Sequence, residues 1–528
     1  MPITGHNFIG FSRSAIHKNY LQAVDPLTGK DLPEKFASAA PEEIELAMHL
    51  ATKAYITCRK MAGAAKATFL NAIADEILAL GDELIDRAVL ETALPPARIV
   101  GERGRTVGQL RLFADVVKEG SWCEPVIEYA DPNRQPLPKP DIRRMLMAMG
   151  PVLVFAASNF PLAFSTAGGD TASALAGGNP VIVKAHSSHM GTSELVASAI
   201  ITAARRTNMP EGVFSMVFGD GRTVGQGLIQ HPSVKAAAFT GSQSAGRVLF
   251  DLATRRPNPI PLFAEMGSLN PVILCSDALK KRGLEIARDF AASVSLGCGQ
   301  FCTKPGLFFA RDGAGLDTFI RDFAASIEKT LPATMLNPRI HGQFIAGRKR
   351  VSEQPGVQAL AYSEAAADLS AHEGQPTLFV ISAGDFMDNL LLRHEIFGPY
   401  ALVVRCQDKT QMVAALETLE GQLTATVIAE NEEMEDMQMI IDLLIEKAGR
   451  VIHNGVPTGV EVCSAMQHGG PYPAATDARF TSVGSAAIKR FARPVSFQDW
   501  PQALLPDELK NGNPLKVWRL VNNEMTNA

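Results

Sequence analysis

Gly150-Pro151-Val152-Leu153-Val154-Phe155-Ala156 closes a proline-rich, charged stretch and opens an apolar run with no polar interruption. Such a run is the mark of a strand covered on both faces. The pattern then alternates. A glycine- and alanine-rich helical stretch over about 164–175 leads to the strand Pro180-Val181-Ile182-Val183-Lys184, and a helix over about 191–207 leads to the strand 213–218. A helix from about Arg222, the strand 234–239, a helix over about 244–253 and the strand Pro261-Leu262-Phe263-Ala264 complete the series. Alternation at this spacing predicts an α/β fold with a parallel sheet and right-handed crossovers. Ligands of such sheets bind beyond the carboxyl ends of the strands. Asn159, Lys184, Gly219, Gly241 and Glu265 all stand at or just after a strand end, which predicts one shared crevice.

Upstream the chain reads as an extended lead followed by helices. Pro41-Glu42-Glu43 sets a proline at a helix start with acids in the first turn, where the helix dipole favours them. Further helices are predicted over about 64–80, 81–92 and 96–118. Gly101-Glu102-Arg103-Gly104-Arg105 reads as a solvated charged turn, with an anionic ligand as the alternative. Pro125, Pro132, Pro136, Pro138 and Pro140, mixed with charges, predict an extended arm or linker between 125 and 144.

Bulk properties narrow the class. A chain of 528 residues exceeds one core and predicts two or three domains. With 46 % hydrophobic and 20 % charged residues it has ordinary globular composition. A net charge of −5 argues against a nucleic-acid surface, and no apolar run approaches a membrane span. The start has no basic region followed by an apolar core, so no signal peptide is read. Seven scattered cysteines fit a reducing, cytoplasmic compartment better than a disulfide framework. None pairs with another ligand at metal-binding spacing, so no metal is expected.

Three polar residues in apolar company carry the chemistry. Gly299-Gln300-Phe301-Cys302-Thr303 offers a soft nucleophile, Phe263-Ala264-Glu265-Met266-Gly267 a carboxylate base, and Ala157-Ser158-Asn159-Phe160-Pro161 a neutral amide donor. Chemistry at an aldehyde or acyl carbon requires this trio. Two glycine turns accompany it: Gly219-Asp220-Gly221-Arg222-Thr223-Val224-Gly225 and Phe239-Thr240-Gly241-Ser242. Each is either an ordinary strand-to-helix turn or a place where backbone N–H groups meet phosphate.

These motifs, together with Val183-Lys184 and His394-Glu395-Ile396-Phe397-Gly398-Pro399, stand in the order seen in aldehyde dehydrogenases, which the chain resembles over nearly its whole length. The stretches 104–113 and His468-Gly469-Gly470-Pro471-Tyr472-Pro473 resemble a narrower branch. That branch contains the 2,5-dioxopentanoate (α-ketoglutaric semialdehyde) dehydrogenases and, more distantly, bacterial fatty aldehyde dehydrogenases. The resemblance implies a Rossmann-type cofactor domain (1–124 and 150–264), an α/β catalytic domain (265–484) and a β oligomerisation flap (125–149 and 485–500) in a homodimer or homotetramer. Residues 501–528 form a tail outside the family pattern.

It also implies roles. Cys302 is the nucleophile, Glu265 the base and Asn159 the oxyanion donor. Lys184, Ser187, Gly221, Arg222, Gly225, Gly241 and Ser242 hold the cofactor; Glu395 binds its nicotinamide ribose and Phe397 packs beside it. Three departures bear on function. Leu269 replaces the lysine of the usual Glu-Leu-Gly-Gly-Lys, and His468 replaces a phenylalanine and reads as a structural histidine. Ser187 replaces a glutamate that would repel the extra phosphate of NADP⁺, so NADP is expected as cofactor, with NAD possible. The substrate expected is α-ketoglutaric semialdehyde, giving 2-oxoglutarate. Arg105, Arg111 and Lys304 are all candidates for its carboxylate. A medium- or long-chain fatty aldehyde, a coenzyme A-acylating reaction and a catalytically silent binding protein are the alternatives. Retention of Glu265 argues against the second, and retention of the whole trio against the third.

Overall fold

A computed structural model of the protein describes residues 2–528. The strand Val152–Phe155 is buried at every position and lies inside a seven-stranded sheet. On one side it pairs in parallel with Val181–Lys184 and, beyond that, Phe214–Val217; on the other it pairs with Ala236–Thr240 and then Leu262–Glu265. The chain thus builds outward from Val152–Phe155 in one direction and then returns to build in the other. The crevice left at such a reversal is where open α/β sheets take their ligands. Asn7–Ile9 and Ser12–Ser14 extend the far edge antiparallel.

Helices cover both faces. Pro41–Cys58 begins where Glu43 accepts a hydrogen bond from the Ala40 N–H at 2.7 Å, and buries Ala47, Met48, Ala51 and Ala54. Gly81–Thr92 stops at Ala93, which takes the left-handed conformation (φ 55°) that glycine adopts at least cost. Near the end of that helix Glu91 accepts from the Gly191 and Thr192 N–H groups, both at 2.8 Å, and so caps the helix Met190–Arg206.

Two expected helices start later than their composition implied. Residues 161–168 form a turn in which Gly169 N donates to Ala163 O at 3.0 Å, so the helix runs Gly169–Ala176. Glu102, on the helix Pro96–Glu119, accepts from Leu162 N and Ala163 N and pins that turn. Asp220 caps the next one, taking the Arg222 and Thr223 N–H groups at 2.7 and 2.8 Å; Gly221–Gly225 is a wide π-turn before the short helix Gln226–Gln230.

A second seven-stranded sheet follows, with Gln358–Tyr362 antiparallel at its edge. Its other strands, in spatial order, are Thr377–Ser382, Tyr400–Cys406, Leu307–Arg311, Val272–Leu274, Gln422–Ile428 and Ala448–His453, all parallel. The proline-rich excursion and the C-terminal region form a five-stranded sheet in the order Ala492–Gln498, Ile142–Ala148, Val126–Glu128, Arg519–Val521, Glu524–Thr526. The tail 501–528, which falls outside the family pattern, supplies two strands that complete this sheet. Residues 485–491 are a 3₁₀ helix with Ala487, Ile488 and Phe491 in the core of the first sheet, so the strand begins only at Ala492. Among the described residues no helix is long and apolar enough to cross a membrane.

Candidate active site

The nucleophile loop is held from below. Asn270, itself left-handed (φ 49°), donates from Nδ2 to Cys302 O at 2.8 Å and Lys304 O at 3.0 Å. Gln422 Oε1 in turn accepts from Leu269 N, Asn270 N and Ser268 Oγ, which stitches the segment after Glu265 to the second sheet. Gly299 (φ 65°) passes so close to Gly398 that a Cβ would stand 2.2 Å from its carbonyl carbon; only glycine admits this crossing. Lys304, buried, donates from Nζ to Ile396 O and Tyr400 O, fixing the approach to Glu395.

Three chemical groups meet above this floor. His468 Nε2 lies 3.5 Å from Cys302 Sγ and 3.0 Å from Glu265 Oε1. Ser482 Oγ donates to Glu265 Oε2 at 2.7 Å, and His468 is positioned by its own backbone: its N–H donates to Thr481 Oγ1 and its carbonyl accepts from Ser482 N. His468 is therefore not a remote structural histidine. It stands between nucleophile and base, only 1 % exposed. The sequence signal was present in the polar residue at an apolar position, but nothing local tied it to Cys302.

The charges follow from this packing. Burial, and then the Glu265 carboxylate, push the Cys302 thiol well above its ordinary value, with Arg105 acting in the opposite sense. For Glu265, burial disfavours the charge, yet His468 and the hydrogen bonds from His468, Ser482 and Cys302 outweigh it and hold the carboxyl below its usual range. The resting pair is a protonated thiol beside a carboxylate, with an imidazole nitrogen between them. This arrangement can pass a proton from sulfur to carboxylate. One ligand atom from each of the three residues lies within 4.8 Å of the others, the single such cluster among the described residues.

Asn159 Nδ2 donates to Gln300 O at 3.0 Å, which orients the amide against the nucleophile loop and leaves its second N–H for a ligand. Cys298, by contrast, points away: its thiol faces Ala333 O at 3.1 Å, and burial pushes it up to about 12.

A cleft of about 550 Å³ runs from these groups along the reversal point of the first sheet. Asn159, Ser187, Gly241, Ser242, Glu265, Cys302, Glu395 and Phe397 all line it, as do His186 and Arg339, which the sequence did not single out. Gly241 and Ser242 open the helix Gln243–Thr254, a ready site for an anion. Glu395 Oε2 would stand 2.2 Å from a Cβ at Gly267, so glycine there makes room for the carboxylate. Lys184, Gly221, Arg222 and Gly225 lie outside the lining. Burial pulls Lys184 down to about 8, with Asp220 opposing it. The Arg222 side chain forms no ion pair among the described residues and is exposed. The cleft's volume, the helix N-terminus along it and the thiol in its lining fit a nicotinamide dinucleotide.

A profile of the aldehyde dehydrogenase family matches residues 13–472. Over 521 residues the chain is 49 % identical to the alpha-ketoglutaric semialdehyde dehydrogenase 2 of Azospirillum brasilense, covering 98 % of this chain and 99 % of that one. It is 44 % identical to the alpha-ketoglutaric semialdehyde dehydrogenase of Acinetobacter baylyi, covering 99 % of each. The crystal structure of the aldehyde dehydrogenase KauB from Pseudomonas aeruginosa shares the fold, with a TM-score of 0.80 at 20 % identity over 94 % of this chain and 97 % of that one.

Proposed function

Since the chain belongs to the aldehyde dehydrogenase family and so oxidises an aldehyde to a carboxylic acid with a nicotinamide cofactor, we propose that its substrate is α-ketoglutaric semialdehyde and its product 2-oxoglutarate. The observation that carries this reading is the pair of relatives of that name, matched at 49 % and 44 % identity end to end.

In this reading Cys302 Sγ attacks the aldehyde carbon as thiolate, the nucleophilic form. His468 Nε2 passes its proton to Glu265 Oε1 and takes the thiol proton in its place. The charge that develops on the aldehyde oxygen is received by the Asn159 amide and the Cys302 backbone N–H, each such donor contributing about 3–4 kcal/mol. When bound, the nicotinamide supplies the two-electron oxidation. The acyl group then sits on Sγ as a thioester, and Glu265, held by Ser482 and freed of the thiol proton by its release to solvent, takes a proton from the water that hydrolyses it. Glu395 and Phe397 hold and flank the nicotinamide end of the cofactor in the cleft.

We read NADP⁺ as the preferred cofactor. Ser187 brings no carboxylate to the cleft, Lys184 and Arg222 stand at or just after neighbouring strand ends, and Arg339 lines the cleft. Residues 1–124 with 150–264 act as the cofactor domain and 265–484 as the catalytic domain. The five-stranded sheet serves self-association, because its outermost strand Ala492–Gln498 pairs on one side only and is largely exposed. Its compartment is the cytoplasm, in keeping with cysteines that are all free thiols.

The test is the specificity constant for α-ketoglutaric semialdehyde against unbranched aldehydes of four to twelve carbons, with each cofactor. The semialdehyde with NADP⁺ is expected to lead; a rise toward the long aldehydes would replace this reading with the fatty aldehyde one.

A further inference from the structure

Arg105 carries a positive charge into the aromatic wall beside the nucleophile. Its guanidinium carbon lies 5.3 Å from the ring centre of Phe164 and 5.8 Å from that of Phe160. Phe164 in turn lies 6.2 Å from the His468 ring, whose Nε2 is 3.5 Å from Cys302 Sγ. None of Arg105, Phe160, Phe164 and Phe301 lines the cleft, so this wall stands apart from the surface open to a cofactor, and Arg105 is near enough to Cys302 for their charges to interact.

This arginine has no counter-charge bonded to it. Its Nε and Nη2 are buried and without a hydrogen-bond partner among the described residues. The nearest carboxylate in sequence, Glu102, is spent: Oε2 pairs with Arg98 at 2.6 Å, while Oε1 accepts from Leu162 N and Ala163 N. A buried cation with open donors costs stability until an anion arrives. The pressure is visible in its proton affinity, which burial lowers and the charges of Cys302, Glu102 and Glu265 partly restore.

The rival cations are already engaged. Arg111 is exposed and pairs with Asp75 at 3.3 Å, and Lys304 is bonded to the carbonyls of Ile396 and Tyr400. Arg450 gives both terminal nitrogens to Gly459 O and Pro457 O.

We propose that Arg105 receives the distal carboxylate of the semialdehyde through its free Nε and Nη2, and so points the aldehyde carbon at Cys302. Those two nitrogens lie on one edge of the guanidinium and match a carboxylate bidentately. The phenylalanine rings enclose the methylenes between the two ends. The proposal rests on the substrate reading above.

The experiment compares kcat/KM for α-ketoglutaric semialdehyde and for pentanal, which has the same carbon number and no carboxylate, in wild type, Arg105→Leu and Arg105→Lys. Arg105→Leu is expected to lose about ten- to a hundredfold more on the semialdehyde than on pentanal, mainly in KM, as loss of a charge-assisted contact implies. Arg105→Lys should recover part of that ratio. Equal losses on both aldehydes, or a semialdehyde preference that survives in Arg105→Leu, would overturn the assignment. A wild type that does not prefer the semialdehyde at all would overturn the substrate reading itself, and the role of Arg105 with it.

Discussion

The two ends of the cleft are built differently. At the chemical end Cys302, Glu265 and His468 touch one another, and each is fixed by groups from distant parts of the chain: Asn270 beneath Cys302, Ser482 on Glu265, Thr481 on His468. At the other end Ser187 and Arg339, with Arg222 outside the lining, are exposed and bonded to little beyond their own turns. Preorganised polar groups in a dry site act strongly on developing charge, because nothing must reorient during reaction. Exposed side chains around a phosphate can select among ligands but carry less energy each. Chemistry is thus concentrated at the buried end, while the exposed end carries side chains that can change without disturbing the fold.

That contrast can be broken by substitution. Cys302→Ala should lower the rate of cofactor reduction by at least about a thousandfold, the scale seen when a nucleophile is removed. Binding of NADP⁺, followed by fluorescence titration, should persist, since the thiol acts only in chemistry. Substantial residual turnover would remove Cys302 from its role, and Cys298 offers no obvious replacement because its thiol faces away.

His468→Gln sharpens the contrast by testing the proton path. The Cys302 thiol is raised by burial and by Glu265, so thiolate forms as pH rises, above the range of an ordinary thiol. Inactivation of wild type by iodoacetamide should therefore climb through pH 9 and beyond. In His468→Gln it should be about a hundredfold slower at pH 7, the lower range for lost acid–base assistance. The gap should close at high pH, where hydroxide removes the proton directly. A constant ratio at every pH would make His468 a packing residue only.

The smallest effect belongs to the exposed end. Arg222→Ala should raise KM for NADP⁺ about ten- to thirtyfold, the low end for one charge-assisted hydrogen bond. KM for NAD⁺ should hardly move and kcat should hold. An equal loss with both cofactors would mean that Arg222 does not read the extra phosphate.

What the sequence by itself determined was everything that rests on local pattern. Apolar runs such as 152–156 identified buried strands, because a strand covered on both faces has no solvent side on which to place polar residues. Five residues at the ends of those strands pointed to one crevice, since parallel strands deliver their carboxyl ends to the same edge; Asn159, Gly241 and Glu265 line the cleft, whereas Lys184 and Gly219 stand outside its lining. Tertiary structure alone decided the rest. His468 meets Cys302 across 166 residues, and Ser482 meets Glu265 across 217. The tail strand Arg519–Val521 pairs with Val126–Glu128, which no short-range periodicity can foretell. The choice among three candidate cations was likewise tertiary. Arg105, Arg111 and Lys304 carry the same charge in the sequence; only packing showed which had its counter-charge or carbonyls already at hand and which kept open donors beside the nucleophile.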